Sequence, residues 1–157
     1  MVRKYDVYES ITLRTMLNRY GISIVITPKE CNGKPLFANP DGIMHRNGDI
    51  IGVYEFKSRN MSYDTLTSKR YGSWLISESK IKVCREIAIQ MCVPFYGFLF
   101  LIPDSMMFCW EITDQHGVHL VDLNIKRSKT KSNSDPNDST MVWRNNAYLS
   151  MEDSYRV

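Results

Sequence analysis

The segment that most constrains the fold is Ile50–Ser58, which reads Ile-Ile-Gly-Val-Tyr-Glu-Phe-Lys-Ser. Its mostly apolar sequence predicts a β-strand that is covered on both faces of its sheet. Every second side chain of a strand points to the same face. One face of this strand therefore carries Ile51, Val53, Glu55 and Lys57. Because an unpaired buried charge costs roughly several kcal/mol, the carboxylate and the ammonium must both find partners, and a metal ion is one candidate.

A β-hairpin is predicted to contain this strand. Leu36–Met44 and Asp49–Ser58 have strand character, and His45-Arg-Asn-Gly48 between them is typical of a hairpin connection. The first strand carries a second carboxylate, Asp41, in the sequence Pro-Asp-Gly. Taken alone, Pro-Asp-Gly is also a common turn tripeptide. Likewise, Glu55 and Lys57 alone could be an ion pair on an edge strand.

The length of the hairpin loop decides which face Asp41 occupies. A two-residue Asn47–Gly48 loop would turn Asp41 away from Glu55, whereas a three-residue loop that includes Arg46 shifts the register by one. We predict the three-residue loop. Asp41 then lies opposite Val53, diagonal to Glu55, and Gly42 lies opposite Gly52. Diagonal neighbours are about 7–8 Å apart, which lets two carboxylates share one cation.

The remaining pattern predicts alternating helices and strands in one domain of 157 residues. The predicted helices are Asp6–Tyr20 and Ser77–Cys92, and the further strands are Ile22–Thr27, Pro94–Ile102, Met106–Thr113 and Val118–Ile125. We expect a core over about 6–125, a polar basic loop over 126–140 and a C-terminal segment, 141–157, that packs back on the body. The fold class is α/β, with a central mixed β-sheet flanked by helices.

Two carboxylates beside a lysine suit the hydrolysis of phosphodiesters. Mg²⁺ prefers oxygen ligands and keeps several waters, so Asp41, Glu55 and a substrate phosphate would make a reasonable site. The backbone carbonyl of Phe56 is a further candidate ligand. Lys57 would orient the attacking water or stabilise the charge that develops on the phosphate.

Pro40-Asp41, followed after thirteen residues by Glu55-Phe56-Lys57, resembles the signature of the PD-(D/E)XK nuclease superfamily. The order of elements from Asp6 to Ile102, about two thirds of the chain, is similar to that family's restriction-endonuclease-like core. The resemblance implies that Asp41 and Glu55 bind the metal and that Lys57 is the catalytic lysine. It also implies Mg²⁺-dependent cleavage of DNA, with Mn²⁺ substituting.

Two further site residues rest on this resemblance. Lys80 opens the second predicted helix, whose N-terminal end approaches the active site in the family, and some members carry a basic residue there. Glu9, on the first predicted helix, resembles the additional acidic ligand of certain members.

Basic residues outside the motif are candidates for contacts with DNA phosphates. One group follows the catalytic strand and comprises Arg59, Lys69 and Arg70. The other, expected as a flexible arm, comprises Lys126, Arg127, Lys129 and Lys131. Runs of this kind are often only solvated surface.

Composition sets the remaining limits. The net charge of +3 is too small to identify a nucleic-acid partner by itself, and 43% hydrophobic residues are ordinary for a soluble globular chain. The four cysteines form no C-x-x-C pair, which argues against a zinc knuckle. With no secretion signal and no apolar segment long enough for a bilayer, we expect an intracellular, cytoplasmic protein without a membrane partner.

Within the nuclease class, the brevity of the chain is similar to that of small phage-type enzymes, which would act in the cytoplasm of the host cell. The leading hypothesis is a metal-dependent DNA endonuclease, for example a site-specific homing endonuclease. The alternatives are a structure-specific nuclease such as a Holliday-junction resolvase, and a non-catalytic DNA-binding protein of the same fold. One chain holds one site, so cutting two strands predicts a homodimer or a higher symmetric oligomer.

Overall fold

The computed structural model describes residues 7–28, 30–32, 34–35, 39–68, 72–132 and 137–157. The strands are β1 Ser23–Ile26, β2 Glu30–Cys31, β3 Lys34–Pro35, β4 Gly42–Arg46, β5 Asp49–Arg59, β6 Ser73–Ser77, β7 Phe95–Leu101, β8 Met106–Thr113, β9 Ile125–Lys131, β10 Met141–Ser150 and β11 Tyr155–Arg156. The α-helices are α1 Arg14–Asn18, α2 Tyr63–Thr67 and α3 Glu78–Gln90. A π-helical segment, Tyr8–Leu13, runs into α1, and a 3₁₀ turn spans Met151–Asp153.

A six-stranded sheet in the order β1-β4-β5-β7-β8-β11 forms the centre of the fold. It is mixed, because β5 and β7 pair in parallel while their other neighbours pair antiparallel. A parallel pair needs a crossover, and here the crossover carries α2, β6 and α3. The small sheet β6-β10-β9 lies beside it, and β2 pairs with β3 in a two-stranded sheet.

The apolar sequence of β5 and β7 is explained by two cores, one on each face of the central sheet. On one face, Val53 and Leu99 belong to a core shared with α3, β6 and β10. On the other face, Tyr54 and Phe98 pack with the N-terminal helical segment. The C-terminal segment enters the first core through Ala147 and Leu149 of β10.

Several predicted boundaries and elements are wrong. The first helix is Tyr8–Leu13 plus Arg14–Asn18, and Asp6 lies outside the described residues. The predicted strand Val118–Ile125 does not form: the segment contributes a single bridge at His119, and its last residue, Ile125, begins β9. The polar segment at 126–140 begins inside β9, which pairs with β10 over its whole length. Of the predicted strand Leu36–Met44, 36–38 lie outside the described residues and β4 begins only at Gly42.

The predicted register of the hairpin is also wrong. Arg46 pairs with Asp49, so the loop is the two-residue Asn47–Gly48 turn, whose φ values of 52° and 88° suit Asn and Gly. The register shifts further along, because His45 pairs with Ile50 but Met44 pairs with Gly52. Ile51 is the extra residue of a β-bulge.

The bulge changes which residues share a face. Val53 lies opposite Ile43 and not Asp41, Gly42 lies opposite Tyr54, and Gly52 lies opposite Met44. Ile51 packs on the same side as Tyr54 rather than with Val53. Beyond the bulge, Val53, Glu55 and Lys57 share a face as the alternation predicted.

No helix among the described residues is long and apolar enough to cross a membrane.

Gly97 of β7 is needed for the close packing of Trp74 on the sheet. A Cβ at Gly97 would lie 2.5 Å from Trp74 Cζ3 and 3.1 Å from Ile112 Cδ1. We therefore expect Gly97→Ala to lower the free energy of unfolding by about 1–3 kcal/mol in urea titrations. Combining it with Trp74→Leu, which removes the ring, should cost less than the sum of the two single changes. Strict additivity would contradict this explanation.

Candidate active site

The backbone at Asp41 is held from two sides. Its N–H donates to the Tyr54 carbonyl at 3.0 Å, and its own carbonyl accepts from the Thr27 N–H at 2.9 Å. The Thr27 hydroxyl also donates to the carbonyl of Pro40. Asp41 is 6% exposed and lies just before β4. The end of β1 and the middle of β5 together fix this turn.

The carboxylate of Asp41 reaches along β5. Its Oδ2 accepts the Phe56 N–H at 2.8 Å. The N–H and C=O of one strand residue point to the same side, so the Phe56 carbonyl faces the side of the strand on which Asp41 lies. That orientation is compatible with a metal-ligand role for this carbonyl, which stays a prediction.

Four charged side chains meet around Glu55, and we call them the charge ring: Asp41, Glu55, Lys57 and Lys80. Glu55 is 1% exposed. Its Oε1 lies 2.5 Å from the Lys57 ammonium and its Oε2 lies 2.9 Å from the Lys80 ammonium. Each ammonium also lies 3.7 Å from a different oxygen of Asp41. The structure thus brings together the four residues predicted as catalytic.

Three separate elements supply the charge ring. Alternation along β5 places Glu55 and Lys57 side by side on one face, next to the turn that holds Asp41. Lys80 enters from the first turn of α3, and its ammonium also donates to the Asn39 carbonyl. Lys80 therefore joins α3 to the Asp41 turn.

Burial and charge act in opposite directions on the ionisation of the ring. For Glu55, burial and the Asp41 carboxylate raise the pKa, while the two ammonium groups oppose that rise. For Lys57, burial acts against the charged form, but Glu55 and Asp41 outweigh it and the pKa is raised. Lys57 is therefore a cation at neutral pH. Cys84, buried on α3, also has a raised pKa, caused by burial and then by the charge of Glu55.

The donor set fits a hard divalent cation. The two nearly buried carboxylates, Asp41 and Glu55, contact the same two ammonium groups, and Glu55 Oε2, which is ion-paired with Lys80, makes no further hydrogen bond to the residues that the structure describes. Mg²⁺ binds in proteins through one or two carboxylates together with waters and substrate phosphates. The described residues contain no group of three His, Cys, Asp or Glu side chains placed to hold a metal. Asp41 and Glu55 would thus leave most positions around the ion to water and substrate.

Glu9 is buried in the N-terminal helical segment, next to Tyr54. Its Oε1 accepts a hydrogen bond from the Tyr54 hydroxyl at 3.2 Å. Tyr54 packs on the opposite face of β5 from Glu55, and burial, followed by the charge of Glu9, raises the pKa of Tyr54. A ligand role for Glu9 stays a prediction.

The structure describes five of the seven predicted DNA-contacting residues. Arg59 ends β5 on the face of Glu55 and Lys57, whereas Lys69 and Arg70 lie outside the described residues. The predicted flexible arm is wrong, because its residues belong to β9. By alternation, Lys126 lies on one face of β9, its ammonium 5.7 Å from the centre of the Tyr148 ring. The other face carries Arg127, Lys129 and Lys131.

Among solved structures, the chain is similar to the Holliday junction resolvase Hjc of Archaeoglobus fulgidus, an archaeal hyperthermophile. The TM-score is 0.50 at 16% sequence identity, over 68% of this chain and 75% of the resolvase. The two chains share a fold. This confirms the predicted α/β class with a restriction-endonuclease-like core and a central mixed sheet. No family model matches the sequence, and no curated protein matches it.

The charge ring predicts a stability change that a metal ion should reverse. Lys80→Met leaves Glu55 with Lys57 as its nearby cation, so we expect a loss of about 2 kcal/mol in EDTA, less than the ~3–5 kcal/mol for loss of a sole buried partner. Mg²⁺ should restore part of this loss in urea titrations. Lys82→Met removes an exposed lysine paired with Glu78 at 3.0 Å and should cost about 0–1 kcal/mol, with or without Mg²⁺. An identical loss for Lys80→Met in both buffers would indicate a purely structural ion pair.

The raised pKa of Glu55 predicts a pH dependence of stability. The folded protein keeps a proton on Glu55 at pH values where the unfolded chain has lost it, so the stability contributed by this group falls as pH rises above about 4.3. Measured in EDTA, the stability of Glu55→Gln relative to the parent chain should therefore increase as the pH rises above about 4.3. For Glu78, hydrogen bonds from Lys82 and Asn145 lower the pKa. The stability contributed by Glu78 is therefore present above about pH 4.3 and is lost at lower pH, so Glu78→Gln should gain relative stability only in that more acidic range. A Glu55→Gln variant whose relative gain falls in the acidic range of Glu78 would contradict the assignment.

Proposed function

We propose that this chain is a divalent-metal-dependent DNA endonuclease that acts on branched DNA. The observation that carries the proposal is the convergence of Asp41, Glu55 and Lys57, from separate parts of the hairpin, into one cluster whose two carboxylates are nearly buried. A chance ion pair on an edge strand would not be expected to collect a second carboxylate and a second lysine. β5 is also an interior strand of the sheet.

Asp41 and Glu55 would hold the cation, with the Phe56 carbonyl and Glu9 as further candidate ligands. Bound there, Mg²⁺ supplies polarisation of the scissile phosphate and a lowered pKa for a bound water. Mn²⁺ should replace it, since both ions accept oxygen ligands. The Asp41 oxygen that accepts the Phe56 N–H is fixed in direction, which orders the site before metal and substrate arrive.

Lys57 acts as a cation and not as a general base. Its raised pKa keeps the ammonium protonated at neutral pH. A protonated lysine beside two carboxylates can donate to a phosphate oxygen and stabilise the negative charge that develops during hydrolysis. Lys80, which is more deeply buried, positions both carboxylates from the α3 side.

Branched DNA is the favoured substrate because the similar solved structure is a Holliday junction resolvase. Of the two nuclease types that the sequence left open, this likeness supports the structure-specific one. No comparison supports a homing endonuclease. Resolving a junction takes two cuts, and each chain supplies one site, so the working form would be a symmetric homodimer.

Cleavage of defined DNA substrates tests the proposal. With Mg²⁺, the purified protein should cut a four-way junction in preference to linear duplex of the same sequence, and EDTA should abolish cutting. Asp41→Asn, Glu55→Gln and Lys57→Met should each reduce the single-turnover rate by about 10²-fold or more, as loss of one electrostatic contributor to a transition state does. Lys82→Met, a lysine change on α3 outside the ring, serves as the matched control and should cut like the parent.

Two outcomes would reject the proposal. Cleavage that persists in Asp41→Asn and Lys57→Met would place the activity elsewhere or in a contaminant. Tight junction binding without cleavage by the parent chain, with Mg²⁺ or Mn²⁺, would identify a non-catalytic DNA-binding protein of this fold.

A further inference from the structure

β9 and the first half of β10 form a strongly basic two-stranded segment. We call this segment, Ile125–Lys131 with 141–145, the basic ribbon. The two complete strands carry five basic residues and no acidic ones. They are Lys126, Arg127, Lys129, Lys131 and Arg144. A concentration of positive charge on one antiparallel pair favours a polyanionic partner.

One face of the basic ribbon combines these cations with exposed apolar side chains. Trp143 pairs directly with Lys129, and Met141 pairs with Lys131. Arg127 pairs with Asn145 on the same face. Directly paired residues have side chains about 4.5–5.5 Å apart at Cβ, so the indole lies between the cationic side chains.

Trp143 is exposed in a way that packing does not explain. It is 61% exposed, whereas Trp74 is 2% and Trp110 is 0% exposed. The other two tryptophans belong to the core shared with α3. A large aromatic left open amid positive charge suits a ligand that offers both a flat ring and phosphates.

One end of this face of the basic ribbon contacts the first turn of α3, the turn that also carries Lys80. The same face of β10 continues into the core through Ala147 and Leu149. At the boundary, Asn145 Nδ2 donates to Glu78 Oε2 at 3.0 Å. Glu78 is the first residue of α3, two positions before Lys80. A nucleic-acid strand along the ribbon would therefore lead toward the candidate metal site.

We infer that Trp143 stacks on a DNA base that has lost its stacked neighbour, while Arg127, Lys129 and Lys131 contact the adjoining phosphates. This rests on the proposed function and specifies its substrate. The substrate would be DNA with an unpaired or unstacked base near the scissile phosphate, as at a branch point, rather than uninterrupted duplex. In intact duplex each base already stacks on its neighbours, so its face is closed to an indole.

Binding measured without cleavage tests this inference independently of catalysis. In an Asp41→Asn background, fluorescence anisotropy would compare a four-way junction, single-stranded DNA and linear duplex. Trp143→Ala should weaken binding to junction and single strand about ten-fold or more, and binding to duplex less than about two-fold. Trp143→Phe should retain most of the affinity, because a phenyl ring still stacks. The thermal stability of both variants should stay near that of the parent, since the side chain is exposed.

The proposed phosphate contacts can be tested by comparing two lysines on opposite faces of β9. Lys129→Ala should weaken binding to all three DNAs and reduce the salt dependence by about one phosphate contact. Lys126→Ala removes the same charge from the opposite face of β9 and should weaken binding less.

Tryptophan fluorescence gives a direct sign of stacking. Because Trp74 and Trp110 are buried, quenching by single-stranded DNA should come from Trp143 and should disappear in Trp143→Phe. Quenching that persists in Trp143→Phe, or equal loss of affinity for duplex and junction in Trp143→Ala, would overturn the inference. Tighter binding to single-stranded RNA than to DNA would overturn the assignment of DNA.

The two proposals fail in different ways. If the parent chain cuts junctions but Trp143→Ala binds them normally, the stacking inference fails alone. If Trp143 controls binding but the parent chain cuts nothing, the proposed function fails alone. Absence of binding to any DNA would reject both.

Discussion

The structure depends on how two buried carboxylates are neutralised. Asp41 and Glu55 cannot stay ionised so close together without positive charge, and Lys57 and Lys80 provide it. Two ammonium groups carry the same total charge as one divalent cation. Under the proposed function, a metal ion would take over part of the neutralisation that the lysines provide. The hairpin, the turn before β4 and the first turn of α3 each contribute a side chain to this arrangement.

Under the proposed function, the charge ring and the basic ribbon would play different parts in binding a polyanion. The charge ring is small, recessed and nearly neutral when all four groups are ionised, so by itself it attracts DNA weakly. The basic ribbon has the opposite character, being exposed and positive. Long-range attraction would come from the ribbon, and local chemistry from the ring. The overall net charge of +3 hides this separation.

The sequence predicted the fold class and the four residues of the charge ring, because charges inside an apolar strand have few ways to be satisfied. It predicted the wrong hairpin loop, since a two-residue turn followed by a bulge at Ile51 gives nearly the same pattern as a three-residue loop. β9 was missed because a strand lacking a buried face has no apolar alternation. Trp143 was read as part of a segment that packs back, since sequence does not tell an exposed indole from a buried one. Thr27, which holds the Asp41 turn, left no signal at all.

The bulge at Ile51 also limits how the gene can change. The two-residue turn and the one extra strand residue add up to three residues, and this odd number decides whether Glu55 faces Asp41 and Lys80 or the core on the opposite face. Inserting or deleting one residue between Asp41 and Glu55 would exchange the two faces of the strand. Inserting or deleting two residues would only lengthen or shorten the β4–β5 hairpin. Among proteins that descend from this chain, the number of residues between Asp41 and Glu55 should therefore change by two at a time and stay odd.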